Sequence, residues 1–354
     1  MANTALTGTY SVDDLLAVRY ASAAEFGADK IFDALKADLS FYNGMVKEQL
    51  SLLAEPLTEQ SRVYGGSTLH QMTQVDEFGV APSQKAHVTS DVSFPLRLFS
   101  SSIGWTQKYL DIASPNELMS EYLAVRSGHS YEITRQIKKA IYNSSNYTFV
   151  DKLTNGVSLT VRRFVNADSQ PIPDYNGNSF TASSHTHYIA KAASSLANTD
   201  IDGLVTKVTE HGHTRGLMLV IALANKATVT ALTGFTPLGS AVMVYNATDT
   251  TKTVLDNTDL NNQHIGYWGD IPVWVKPYAV SNYVLCVSVD GEKPLGFRER
   301  KQDSLKGLRL VSDVPGYPLV SKSFEAEFGI GVNCRTAGAV LYIGGTSWAD
   351  ATIS

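Results

Sequence analysis

Early in the chain, Ile31, Leu35, Leu39, Tyr42, Val46, Leu50 and Leu53 recur at steps of three and four. That period predicts an amphipathic helix with one apolar stripe, closed by Pro56, whose ring cannot continue a helix. From residue 58 to about residue 110 the character changes to Gly, Ser, Thr and β-branched residues. This predicts a long two-stranded arm, outward over residues 62–75 and back over 87–105, turning near Gly79-Val80-Ala81-Pro82-Ser83. Such a hairpin carries too few apolar residues for a core of its own, so it must lie on something else.

The sharpest local signal is Ser114-Pro115-Asn116-Glu117. It combines a capping serine, proline at the first helical position and a glutamate that completes a capping box. The stripe Leu118, Tyr122, Val125, His129, Ile133, Ile137 and Ile141 follows. A helix over residues 115–142 would be about 40 Å long, longer than most compact domains are wide. Residues 148–184 read as strand and irregular loop, with Pro171, Pro173 and Asn176-Gly177-Asn178 marking an excursion. An α/β pattern comes next: a helix capped at Thr199-Asp200 and running to Glu210, a strand over 217–223, and a short helix capped by Asn225. A polar insertion spans 234–263. Strands are predicted over 271–275, 283–289, 308–311, 324–334 and 338–343.

Composition adds a clue. Only 18% of the 354 residues are charged while 44% are hydrophobic, against about 25% charged in an average soluble domain. Either the surface is rich in Ser, Thr and Asn, or much of it is covered by other copies. The balance of 29 basic and 34 acidic residues, net −5, disfavours a dedicated nucleic-acid binder. Cys286 and Cys334 lie in apolar strand patterns without a CxxC spacing, which predicts reduced, packed thiols. No run of about twenty apolar residues predicts a membrane span, and residues 1–30 lack the basic and apolar regions of a signal peptide. The expectation is a protein that is neither secreted nor membrane-embedded.

The chemistry-bearing motifs are few. His185-Thr186-His187 and His211-Gly212-His213 are two His-x-His pairs, and two such pairs could complete a tetrahedral zinc site and so a zinc-dependent enzyme. Neither pair has an acid at a recognisable ligand spacing, and His211 and His213 also suit a helix C-terminus, so no metal, cofactor or catalytic residue is expected. His129, on the apolar stripe, reads as a packed histidine. Walker, nucleophile-elbow, dinucleotide and HExxH motifs are absent. Asp13-Asp14 and Asp76-Glu77 are neighbours that point apart. Trp105, Trp268, Trp274 and Trp348 are scattered, and not interleaved with basic residues as a stacking surface requires. Arg162-Arg163 and Arg298-Glu299-Arg300-Lys301 are the dense basic spots, expected to pair with acids across a subunit contact.

The order of helical arm, long extended loop, very long helix, α/β unit and terminal strands resembles the major capsid proteins of tailed bacteriophages, with the Hong Kong 97-type shell fold. Phe94-Pro95-Leu96-Arg97, Ile103-Gly104-Trp105-Thr106, Tyr109-Leu110 and Ser114-Pro115 resemble that family's E-loop return strand entering its spine helix. The stretch from Gly266 through Val275 and Tyr283-Val284-Leu285 resembles its A-domain strands, and Arg298-Glu299 through Arg335 its closing P-domain strands. The resemblance implies an α+β fold with an N-terminal arm (1–56), an E-loop hairpin (57–112), a P-domain with spine helix (113–195), an A-domain (196–296) and P-domain terminal strands (297–354). It implies a structural, non-enzymatic subunit forming pentamers and hexamers that close into an icosahedral head around double-stranded DNA, without sequence-specific binding. A separate scaffolding protein, a portal protein and an optional decoration protein are the implied partners, with assembly in the host cytoplasm. The arm and the E-loop would both lie on neighbouring subunits. Lys85 is a conceivable cross-link donor, but nothing identifies an acceptor, and cross-linking is not expected. An encapsulin-like cellular compartment is the alternative on the same fold.

Overall fold

The computed structural model describes residues 11–18, 21–64, 72–80, 83, 90–192, 196–238, 260–314 and 318–353. Helices α1 (Val12–Ala17), α2 (Ala23–Phe26) and α3 (Ala28–Ser51) open the described chain. Strands β1 (Ala54–Leu57), β2 (Ser61–Tyr64), β3 (Ser90–Ser93) and β4 (Arg97–Thr106) lead to α4 (Gln107–Ile112) and α5 (Pro115–Tyr142). Next come β5 (Tyr147–Val150), β6 (Ser158–Val161), β7 (Tyr188–Lys191) and α6 (Asn198–Thr209). β8 (Leu217–Ile221), α7 (Lys226–Thr230) and β9 (Phe235–Pro237) follow. The remainder is strand: β10 (Gln263–Trp268), β11 (Ile271–Val275), β12 (Tyr283–Ser288), β13 (Leu295–Glu299), β14 (Arg309–Val314), β15 (Leu319–Val332) and β16 (Gly338–Ile343).

The spine helix α5 starts where its cap predicts. The Ser114 hydroxyl accepts from the Glu117 N–H at 3.4 Å, and the Glu117 carboxylate accepts from the Ser114 N–H at 2.9 Å, which satisfies two otherwise orphaned donors. Its stripe is buried from Leu118 to Ile141. His129 packs within this stripe, its Nδ1 2.9 Å from the Tyr42 hydroxyl. Burial pushes its imidazole down to about 4, so it is neutral at pH 7.

Two sheets divide the molecule. In one, β1, β13, β15 and β14 lie side by side, with β4 also paired to β15. In the other the order is β7-β16-β12-β8-β11-β10-β9. Central strands of this seven-stranded sheet alternate between two cores, as the period of two requires. Met218, Val220, Leu285, Val287 and Val340 face the core shared with α3 and α5, whereas Leu219, Ile221, Val284, Cys286 and Leu341 face the core under α6. Both cysteines are free and buried, and burial pushes the Cys286 thiol up to about 12.

Several sequence expectations are corrected. The described N-terminal arm packs on its own chain: Leu15, Ile31, Leu35 and Leu39 are buried in the main core, and the Asn116 side chain donates to the Leu16 carbonyl at 2.6 Å. The predicted return strand of the hairpin is divided. β3 pairs with β2, but after Pro95 the chain leaves the hairpin and β4 pairs with β15 over ten residues, from Arg97↔Phe328 to Thr106↔Leu319. Proline has no N–H to give to a ladder, so strand pairing changes there. Residues 72–76 are not strand, although the outgoing strand was expected to reach 75. Pro56 sits in β1, which pairs in parallel with β13 at the sheet edge, an allowed place for proline. Asn225 makes no side-chain cap; its carboxamide oxygen accepts from the Asn282 N–H at 2.9 Å. The final strand β16 joins the seven-stranded sheet between β7 and β12. Lys85, the hairpin turn beyond residue 80 apart from Ser83, and residues 239–259 of the insertion lie outside the described residues.

Candidate assembly interface

The stem of the β2–β3 hairpin rests on a platform of glycines. Gly296 pairs with Gly331, and Gly329 with Arg298, across β13 and β15. The chain from Ser93 to Leu96 crosses directly over them: a Cβ on Gly329 would overlap the Pro95 carbonyl, and one on Gly296 would overlap the Phe94 ring. Glycine inside strands commonly marks such a close approach of another backbone. That signal was available in the Gly329-Ile330-Gly331 alternation but went unread.

A buried ion pair locks the stem from the side. Arg298 donates to the Asp151 carboxylate at 2.7 Å, to the Phe94 carbonyl at 2.7 Å and to the Thr154 hydroxyl at 3.0 Å. Gln60, just before β2, donates to the same Asp151 oxygen at 2.8 Å and to the Asn155 carboxamide at 2.7 Å. Burial by itself would raise the Asp151 carboxyl, but donation from Gln60 and Arg298, with the Arg298 charge, holds it below the usual range. The other basic spot is also satisfied within the chain. Arg162 bonds Asp168 at 3.0 Å and the Asp91 carbonyl of β3 at 3.1 Å, and Arg163 donates to the Lys139 carbonyl at 2.9 Å. Arg300 pairs with Glu327. The expectation that these arginines reach across a subunit contact is therefore corrected: they brace the subunit internally, and the base of the loop with it.

Beyond the braced stem the described part of the loop behaves differently. Met72 is 101% exposed, Phe78 86% and Val80 91%. Asp76 organises a tight turn here, its carboxylate accepting from the Phe78 N–H at 3.1 Å and its carbonyl from the Gly79 N–H at 3.1 Å. The segment thus presents apolar side chains around a locally ordered turn.

Asp168 lies in the irregular excursion between β6 and β7, within the stretch 148–184 read from the sequence as strand and loop. It accepts two bonds from Arg335 at 2.8 and 3.0 Å, one from Arg162 and one from Asn146 at 2.7 Å. Burial would raise its carboxyl, but the Arg335 bonds and charge, with Asn146 and Arg162, hold it well below the ordinary value. A depressed native pKa contributes stability above the unfolded value of about 3.9, and that contribution is lost as pH falls through the native value. Asp168→Asn should therefore cost about 2 kcal/mol or more at pH 7, where it leaves Arg335 without a counter-charge. The difference from wild type should shrink on going from pH 5 to pH 2. Urea denaturation of both proteins across that range checks it, and a pH-independent difference would refute it.

The four histidines singled out by spacing are not brought together as two pairs. His185 and His187 lie just before β7, and His211 just after α6. Their Nε2 atoms converge, with His185 to His211 at 3.0 Å and His187 to His211 at 3.2 Å. His213 is turned away by Gly212, which has φ +89°, and lies 3.0 Å from the Thr336 hydroxyl. Glu210, at the end of α6 and at no recognisable ligand spacing in the sequence, brings its Oε1 to 3.5 Å from His185 Nε2. Among the described residues, His185, His187 and His211 form the group whose ligand atoms lie close enough together to hold a metal ion.

No family model and no curated protein matches the sequence. Solved structures do match. A chain from Mycobacterium phage Patience aligns over 99% of this chain and 97% of its own, with a TM-score of 0.68 at 18% identity. The capsid of an empty GTA particle aligns over 84% of this chain and 89% of its own, with a TM-score of 0.49 at 15% identity. The SrpI encapsulin complex from Synechococcus elongatus PCC 7942 aligns over 88% and 90%, with a TM-score of 0.44 at 11% identity. The Patience chain shares the architecture from end to end, and the chain described here has the α+β, Hong Kong 97-type capsid fold.

Proposed function

We propose that this chain is the major capsid protein of a tailed double-stranded DNA bacteriophage, a structural subunit that forms pentamers and hexamers and closes them into an icosahedral head. The observation that carries the reading is a fold shared end to end with a phage chain, joined to a loop whose apolar residues are almost fully exposed among the described residues. Met72, Phe78 and Val80 stand in solvent before and at the turn organised by Asp76. Burying side chains of this size is worth about 1.5–3 kcal/mol each, and another copy of the subunit is the surface on which repeated assembly would bury them. A net charge of −5 suits a wall that encloses DNA without gripping it. Separate scaffolding and portal proteins would direct closure. No helix among the described residues is long and apolar enough to cross a membrane.

Electron microscopy of the protein expressed with its neighbouring genes tests this. Closed angular shells containing DNA are the expected result. Closed shells carrying one cargo enzyme and no DNA would move the chain to a cellular compartment, and a small monodisperse oligomer would overturn the shell reading.

A further inference from the structure

The excursion between β6 and β7 has little regular structure to hold it. Its backbone pairing includes one isolated bridge, Tyr175↔Asn178, and bonds at its mouth from Ser169 to Ala182 and from His187 to Val165. Yet its C-terminal end delivers two imidazoles onto the end of α6. We propose that His185, His187, His211 and Glu210 form a closed structural site for a divalent transition metal, zinc being the chemical match, which staples this excursion to the end of α6.

The geometry is that of a ligand set. One ligand atom from each histidine lies within 4.8 Å of the other two, and the two shorter separations are 3.0 and 3.2 Å. Zinc bound at about 2.0–2.1 Å from nitrogen places two tetrahedral ligands about 3.3 Å apart. Hydrogen bonding does not account for the convergence. An imidazole nitrogen has a single in-plane site, for either one proton or one lone pair. His211 Nε2 faces two other Nε2 atoms, so one proton cannot serve both contacts. A cation at the common focus satisfies all three nitrogens at once.

The fourth ligand is independently marked. Glu210 Oε1 is buried without a hydrogen-bond partner; it lies 3.5 Å from His185 Nε2 and 3.9 Å from His211 Nε2, with the Lys207 ammonium at 3.8 Å, too far for a hydrogen bond. A buried carboxylate oxygen left unsatisfied is costly, and a metal among the imidazoles would satisfy it. Three imidazoles and one carboxylate fill a tetrahedron, the closed arrangement of structural zinc; catalytic sites keep a position open. Phe180 covers the cluster, its ring centroid 4.8 Å from that of His185 and 4.2 Å from that of His211. Burial, reinforced by neighbouring cationic groups, pushes His185 down to about 4 and His211 to about 3, and His187 well below its ordinary value. All three are neutral at pH 7, which is the form a metal binds.

The site stands whether or not the chain builds a shell. The experiment is elemental analysis of the full-length protein, stripped by chelator and dialysed against zinc and then against metal-free buffer. About one zinc per chain is expected. His187→Ala and Glu210→Gln should lower that content, His187→Ala to background, whereas His213→Ala should retain it. Stripping should lower the Tm by about 5 °C and speed proteolysis within 166–187. Cobalt added to stripped wild type should give the visible absorption of a tetrahedral site, lost in His187→Ala. Should His187→Ala fail to fold, the cobalt spectrum of wild type and the Glu210→Gln content decide the matter. Wild type that retains no zinc and gives no tetrahedral cobalt spectrum overturns the proposal, as does zinc that stays at full occupancy in Glu210→Gln and His187→Ala alike.

Discussion

A subunit in which residues 65–87 are removed, and Val88-Thr89 replaced by Asn-Gly, is expected to fold normally and to stop at soluble capsomers or monomers. The stem ends on the pair Tyr64↔Ser90, and a two-residue Asn-Gly turn closes an antiparallel pair at that spacing. The glycine platform and the Arg298 bracing below it are untouched, so thermal unfolding of the subunit should stay close to wild type. What disappears is the exposed apolar segment. Met72, Phe78 and Val80 together represent about 5 kcal/mol or more of burial in a subunit contact, or roughly several thousandfold in association constant. Sedimentation velocity and negative-stain microscopy read the outcome directly. Closed shells of normal size from this variant would show that the loop does not carry assembly.

The largest effect on the subunit itself is expected at Arg298. Arg298→Met should destabilise the unassembled chain by about 3–5 kcal/mol, because it leaves the Asp151 carboxylate buried without its counter-charge. Asp151 is wholly inaccessible, and of its partners only Gln60 would remain on the oxygen that Arg298 bonds. The Phe94 carbonyl would lose its donor as well, and with it the stem of the E-loop would lose its lateral brace. Replacing both members, as Arg298→Met with Asp151→Leu, should recover much of the loss, since the penalty lies in an orphaned charge and less in the absence of the pair. Chemical denaturation of the three proteins forms the cycle. A single-variant loss under about 1 kcal/mol would mean that the carboxylate is relieved by water or protonation.

The double role of this cluster connects stability to assembly. Arg298 lies in β13 of the five-stranded sheet, Asp151 at the end of β5, and Phe94 between β3 and β4. One side chain therefore sets the stem of the loop relative to two other parts of the subunit. A loop that must find a neighbour is better served by a rigid base, because less conformational entropy is lost when it docks.

The low charge fraction takes a different meaning in this light. Arginines expected from the sequence to lie at subunit contacts are used inside the chain, Arg162 on Asp168, Arg298 on Asp151 and Arg300 on Glu327. The exposed side chains Met72, Phe78 and Val80 in the described part of the loop are apolar instead.

What the residues by themselves determined was local. The spine helix and its capping box depend on neighbours three and four positions apart, so both ends of α5 could be read from the chain. Four strands of the seven-stranded sheet, β8, β11, β12 and β16, were visible as short apolar runs, whereas β7, β9 and β10 carry no such run and were not. Pairing was not visible, because a strand's partner is chosen by tertiary packing. Thus β4 left its hairpin for β15, β13 went unnoticed between two better-marked strands, and β16 crossed to the other sheet. The histidines show the limit most clearly. Spacing suggested two equal pairs, but one left-handed glycine at position 212 turns His213 away. The α6 terminus instead supplies Glu210 and His211, across 24 to 26 residues, to His185 and His187. Convergence of that kind depends on where a helix ends and which loop lies against it, and only the folded chain decides that.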